Sequence, residues 1–254
     1  MTTLYHYTSN ATFLAILENR EIWLSALSLS NDTMEGRLAG DILRFLATED
    51  DVNETLITRI QHSFETIERL VEGIGFCLSE EGDLLSQWRG YSSEAAGVAI
   101  GFNPNYFEAL AQEQNSDSDM PVSLQKVLYE QAEHIELVRP TYIKVKELID
   151  DGAYAPRRFR TLLDNRTDED VERDLDAQKQ KDLEAAANVF FMFKDLFQIK
   201  SLAFSEEREW RLISHFFKAG ETELMFNASK DKICPYKPFD LKVHKFEPIL
   251  EVVL

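Results

Sequence analysis

Cysteine occurs only twice in the 254 residues, as Cys77 and Cys234, far apart and in no zinc or CxxC spacing. A disulfide frame is therefore not part of the design, and the thiols read as reduced, as in a cytoplasm. Basic residues are also scarce: 27 Lys and Arg stand against 45 Asp and Glu, for a formal charge of −18. Such a chain repels polyanions at long range, so a nucleic acid is disfavoured as partner unless a local basic groove holds it. No apolar run approaches the roughly 18 to 20 residues of a membrane helix, and MTTLYHYTSN has no basic patch leading into an apolar stretch, which disfavours membrane spanning and secretion. GxxxxGK[ST], GxGxxG, the GxSxG elbow and HExxH are all missing, and those enzyme classes are disfavoured with them. The five histidines, at 6, 62, 134, 215 and 244, are too scattered for a sequence-local site, so no metal is expected unless distant segments assemble one.

What the chain does have is apolar mass: 44% hydrophobic residues and 17 Phe, enough for a real core. Short strands are expected at Leu4 to Tyr7, Glu21 to Leu27, Gly73 to Ser79, Gly97 to Phe102, Gln125 to Tyr129, Glu209 to Phe216, Glu223 to Phe226, Phe239 to Val243 and Ile249 to Leu254. Helices are expected after a cap at Ser9 or Asn10, over Met34 to Leu46, Val52 to Val71, Glu130 to Val138 (stopped or kinked by Pro140), Tyr142 to Ile149 and Val171 to Ile199. Asp164 to Asp176 reads as a charged connection. Strands and helices mix without regular alternation, so the fold class is α+β rather than doubly wound. One domain over residues 1–254, with helical insertions at about 32–72 and 130–200, is the simplest organisation.

Four polar clusters stand out. In YHYTS, strand alternation puts Tyr5 and Tyr7 on one face and His6 on the other, where the imidazole either faces a pocket or is a satisfied structural residue. SNDTMEG holds Asn31, Asp32 and Glu35, although Asp32 is also a natural helix cap. Trp88, Arg89 and Tyr91 lie in a polar loop between two strands, where aromatics either plug a sheet edge or stack on a flat ligand ring. Glu207 and Glu209, one residue apart in a strand-like run, project to one face. That pattern is either a solvated edge or, given Trp210, Leu212 and Ile213, a half-buried pair of like charges whose pKa values rise unless a cation compensates.

In this order these segments resemble a family of bacteria and their phages described as a domain of unknown function. The resemblance rests on YHYT at Tyr5 to Thr8, Asn31, Asp32 and Glu35, Cys77, Ser79 and Glu80, QWRGY at Gln87 to Tyr91, and GVAIGF at Gly97 to Phe102. It closes with K...F..E.EWR at Lys200, Phe204, Glu207, Glu209, Trp210 and Arg211, and with a PY-containing strand at Pro235 and Tyr236. Relatives continue past a strand like ILEVVL into a Gly-Pro turn and another helix–strand unit. Leu254 would thus end a short member or a fragment, with a sheet edge open to a partner.

That family in turn resembles the ADP-ribosyltransferases. This implies mixed or antiparallel split sheets around an ADP-ribosyltransferase-like core with helical insertions, and NAD as substrate. Carried over, His6 would hydrogen-bond a ribose, Tyr91 or Trp88 would stack on nicotinamide, and Glu209 would hold the ribose 2′-hydroxyl. Glu207 would orient the acceptor, Arg89 and Arg211 would meet the pyrophosphate, and Tyr5 would line the cofactor side. A carboxylate beside a developing oxocarbenium ion lowers the barrier electrostatically. The expected partners are a small nucleotide, a protein acceptor or a regulatory protein, in a defence or toxin setting. Two rivals stand beside this: a non-catalytic nucleotide- or protein-binding module, and a nuclease or phosphotransferase acting on RNA ends, which the acidic charge handicaps.

Overall fold

The computed structural model describes residues 2–29, 35–92, 96–114, 121–156, 165–219, 224–228 and 232–254. Two compact units emerge from the chain. One contains Met1–Gly36, Leu70–Glu130 and Phe197–Leu254; the other contains Arg37–Arg69 and Gln131–Leu196.

Among the described residues the first unit carries nine strands: β1 (Leu4–Thr8), β2 (Glu21–Ala26), β3 (Val71–Ser79), β4 (Val98–Phe102), β5 (Ser123–Lys126), β6 (Glu209–Phe217), β7 (Met225–Ala228), β8 (Ile233–Asp240) and β9 (Ile249–Val253). They form one antiparallel sheet in the order β7-β8-β2-β3-β1-β4-β9, and β6 also joins β3 and carries β5 on its far side. With its helices the unit is α+β, as the irregular order of elements implied. Alternation sorts the side chains. Ile74, Phe76 and Leu78 enter a core with Leu4, Ile22, Leu24, Ile100, Phe102 and Leu212, and residues 73, 75, 77 and 79 take the other face.

Among the described residues three α-helices accompany this sheet: α1 (Asn10–Asn19), α4 (Leu85–Tyr91) and α5 (Pro104–Gln114). In α1 the Ser9 hydroxyl accepts from the Thr12 amide at 3.1 Å, a standard cap, and Ile16 is the buried contact while Leu14 and Leu17 stay exposed. The α5 helix, which periodicity did not indicate, starts with Asn103 capping the Asn105 amide and Pro104 in the first turn, where its missing N–H costs nothing. The α4 helix replaces the expected polar loop.

The second unit is helical among the described residues: α2 (Glu35–Glu49, whose first two residues belong to the first unit), α3 (Glu54–Leu70), α6 (Gln131–Asp150) and α7 (Asp168–Phe193). Tyr142 donates to Asp50 at 2.8 Å, and Asp182 accepts the Tyr154 amide at 2.7 Å. Contrary to expectation, α6 runs through Pro140. That residue is exposed, so the carbonyl it leaves without a donor lies on the wet side of the helix. The α7 helix also absorbs much of the stretch read as a charged connection. Asn31 and Asp32 lie outside the described residues; Glu35 opens α2, and its side chain is likewise outside them. No helix among the described residues is long and apolar enough to cross a membrane.

Gly73 is the packing position on which the site depends. A methyl group there would lie 2.0 Å from Phe197 Cζ, so the ring must move. Gly73→Ala is expected to lose about 1–3 kcal/mol in urea denaturation. Gly40→Ala is the control: it sits in α2 with nothing within 4 Å, and is expected to gain up to about 1 kcal/mol from helix propensity.

Candidate functional site

One edge of β3 is paired with β6 along its full length, from Val71↔Phe217 to Ser79↔Glu209. The other edge is shared. β2 takes Ile74 and Gly75, β1 takes Ser79, and among the described residues no strand pairs on this edge with those between. The backbone there needs another partner. His6 supplies it, with Nδ1 2.8 Å from the Cys77 carbonyl. A carbonyl only accepts, so Nδ1 carries the proton and Nε2 of the neutral ring is an acceptor. Burial lowers the His6 pKa to about 4, against the opposing pull of that carbonyl. The ring also stacks on Phe76 at 4.1 Å. The histidine therefore fills the fork and lines the cleft that opens there.

Four charges meet at the cleft floor. Lys200 Nζ lies 2.7 Å from Glu207 Oε2 and 2.8 Å from Glu209 Oε2. Arg211, 1% exposed, grips Glu209 with Nε at 2.7 Å and Nη2 at 3.0 Å, and its Nη1 donates to the Phe197 carbonyl at 2.9 Å. Two cations balance two anions. Burial alone would raise the Glu209 pKa, but Arg211 and Lys200 outweigh it and hold the carboxyl at about 2. Burial raises the Glu207 pKa, with Lys200 compensating only in part. Lys200 pays desolvation too, yet the two carboxylates raise its pKa. Among the described residues Glu207 Oε1 has no donor, whereas both Glu209 oxygens are occupied.

The two carboxylates do not share a strand face, as alternation suggested. Glu207 ends a 3-10 helix (Leu202–Glu207), Arg208 takes the left-handed conformation at φ 43°, and the strand begins at Glu209. The Ser79 hydroxyl donates to the Glu207 carbonyl at 2.7 Å, which ties this turn to the end of β3.

On the wall opposite, the Tyr7 hydroxyl donates to the Glu81 carbonyl at 2.6 Å and accepts from the Leu84 amide at 2.9 Å, fixing the entry to α4. Trp88 stands edge-on to Tyr7 at 5.0 Å and donates to Asp83 at 2.9 Å. It is buried and does not line the cleft, so the expected stacking role for Trp88 has no exposed ring face behind it. Arg89 is exposed on α4, outside the cleft wall, and Arg211 is committed to Glu209; neither presents a guanidinium to a pyrophosphate here.

The cleft measures about 240 Å³. Its wall brings together Tyr5, His6, Tyr7, Tyr91, Glu207, Glu209 and Arg211, drawn from segments about 200 residues apart, with Tyr5 also donating to Glu251 at 2.6 Å. It adds residues that the sequence reading did not place in the site: Lys200, Gln87, Cys77 and Lys232. For Lys200 a signal existed, since it opens the K...F..E.EWR run. The Cys77 thiol reaches the cleft surface, but the surrounding protein and then Glu209 hold its pKa well above the ordinary range, so it is a thiol at neutral pH. No group of three or more His, Cys, Asp or Glu is placed to hold a metal among the described residues.

Residues 87–212 match the model of a family described as a protein of unknown function, DUF2971. No curated protein and no solved structure matches the chain.

Replacing Lys200 by Met leaves two buried carboxylates without their shared cation. A loss of about 3–5 kcal/mol is expected in chemical denaturation, larger than for any exposed lysine. Acidification should act in two windows. His6, depressed in the folded state, costs stability as pH falls from about 6.5 toward 4, because the unfolded chain binds the proton first. Glu209, depressed for the opposite chemical reason, contributes stability that is full above its ordinary pKa of 4.5 and lost as pH falls toward 2. His6→Asn should flatten the first window in a Tm-against-pH series and leave the second.

Proposed function

We propose that the cleft takes the nicotinamide–ribose end of NAD, and that the protein is an ADP-ribosyltransferase-like enzyme passing ADP-ribose to a protein or other acceptor. The supporting observation is that His6, Tyr91 and the Glu207–Glu209 pair, from three distant segments, line one cleft at the fork of an antiparallel sheet. At about 240 Å³ the cleft is smaller than the roughly 300–1,000 Å³ of pockets that enclose a whole ligand, so the adenylate half would lie along its mouth.

In this reading the N-glycosidic bond breaks with its electron pair going to the pyridine nitrogen, which releases neutral nicotinamide. The acceptor hydroxyl bonds to the anomeric carbon and gives its proton to a carboxylate. Glu207 suits that task better than Glu209: it has an open oxygen and a raised pKa, whereas both Glu209 oxygens are held. Glu209 then acts as the anchor that fixes Lys200 and, through it, Glu207. Half-exposed Tyr91 offers a ring at the rim for stacking, and Lys232 is a cation on the wall for the pyrophosphate.

The saturation of Glu209 also favours a second reading, a nucleotide-binding module without turnover. Nicotinamide release from NAD separates the two. Turnover is expected in the wild-type chain and should fall 100-fold or more, by about the factor seen when a transition-state contact is removed, in Glu207→Gln with Tm retained. Thermal stabilisation by NAD or ADP-ribose with no nicotinamide released would favour the module, and unchanged turnover in Glu207→Gln would remove that residue from the chemistry.

A further inference from the structure

Gln87 is only 9% exposed, sits on α4 and lines the cleft, yet its carboxamide has no hydrogen-bond partner among the described residues. The donors at the cleft floor are matched: Lys200 by two carboxylates, Arg211 by Glu209 and the Phe197 carbonyl, and the His6 Nδ1–H by Cys77. A buried amide left unpaired costs free energy, and native chains keep such groups where a ligand or water completes them. The helix that carries it is not free to turn the side chain away. Tyr7 pins the entry to α4 and Trp88, the next residue, is buried against Tyr7 and Asp83.

We propose that Gln87 is the specificity-determining residue of this cleft and reads a flat ligand edge that offers a donor and an acceptor side by side. A glutamine carboxamide presents one carbonyl acceptor beside an NH2 donor, and its complement is another primary amide or the N6/N7 edge of adenine. Charge points the same way. The floor is balanced two against two, and its open groups are acceptors, His6 Nε2 and Glu207 Oε1, so a neutral group bearing N–H donors is favoured over an anion. The nicotinamide carboxamide and the adenine edge share this chemistry, and either fits. The inference rests on the cleft being a ligand site, not on transfer chemistry occurring there.

The test is isothermal titration of the full chain with two matched pairs: nicotinamide against nicotinic acid, and adenosine against inosine, whose base edge exchanges the amino donor for a carbonyl. The expected result is at least about tenfold tighter binding of the amide or amino member in one pair, and the pair that discriminates identifies the source. Gln87→Leu should erase that discrimination while raising Tm, since it removes the unpaired amide; a structural role for Gln87 would lower Tm instead. No discrimination in either pair with the wild-type chain overturns the proposal, and that comparison decides it even if the variant does not fold. Discrimination that survives Gln87→Leu overturns it as well. Nicotinamide discrimination without nicotinamide release from NAD sinks the transferase reading and leaves this one standing; release with an unchanged KM in Gln87→Leu does the reverse.

Discussion

Lys200 places one ammonium group between two carboxylates inside protein, and the sheet face around it is arranged to make that arrangement tolerable. Buried ions give back their desolvation cost only when geometry and hydrogen bonds are nearly complete. Here completeness runs through a chain of dependencies. Gly73 leaves room for the Phe197 ring, the Phe197 carbonyl receives Arg211, Arg211 holds Glu209 with two bonds, and Glu209 and Glu207 together hold Lys200. The left-handed turn at Arg208 swings Glu207 back toward the lysine, and Ser79 ties that turn to β3. Each link is short, and none has an obvious substitute.

Much of the sheet was legible because its strands obey simple rules. β3 and β4 are compact apolar runs between Gly and polar residues, and β2 alternates, so their positions follow from period alone. The elements that were missed lack such a pattern. In the α4 segment DLLSQWRGYSS the stabilising contacts are tertiary, Trp88 and the hydroxyl of Tyr7, and neither leaves a helical period in seven residues. β8 contains Pro235 and Pro238, which argue against a strand when read by local period; only the resemblance pointed to a strand at Pro235 and Tyr236, and the prolines are accommodated near the sheet's edge.

The site was legible as a set of segments and not as a set of roles. YHYTS and EREWR do meet, and His6 does reach a cleft. Alternation placed Glu207 beside Glu209 on a strand face, whereas a turn and a lysine bring them together; nothing in a two-residue spacing announces a left-handed residue between them. Roles for Arg211 and Trp88 were carried over from a resemblance, and both side chains are consumed by neighbours that only the fold supplies. Gln87 was named only as part of QWRGY and given no role for the converse reason: a glutamine in a polar run looks solvated until its burial is known.

The fork in β3 bears on how the cleft moves. Along β6 the strand is fastened by nine registered pairs, while β2 is registered at two positions and β1 at one. The β1-β4-β9 ribbon and the β7-β8-β2 ribbon are therefore each fastened to a stiff spine at few positions, and the His6 imidazole ties the first of them to β3 through the Cys77 carbonyl rather than by a ladder. Amides at the inner margins of the ribbons lack the ladder that fastens those of the β3–β6 seam, and low local stability follows from that kind of exposure. Widening the cleft at the fork would break no backbone pair of the seam, which carries Glu209 and Arg211.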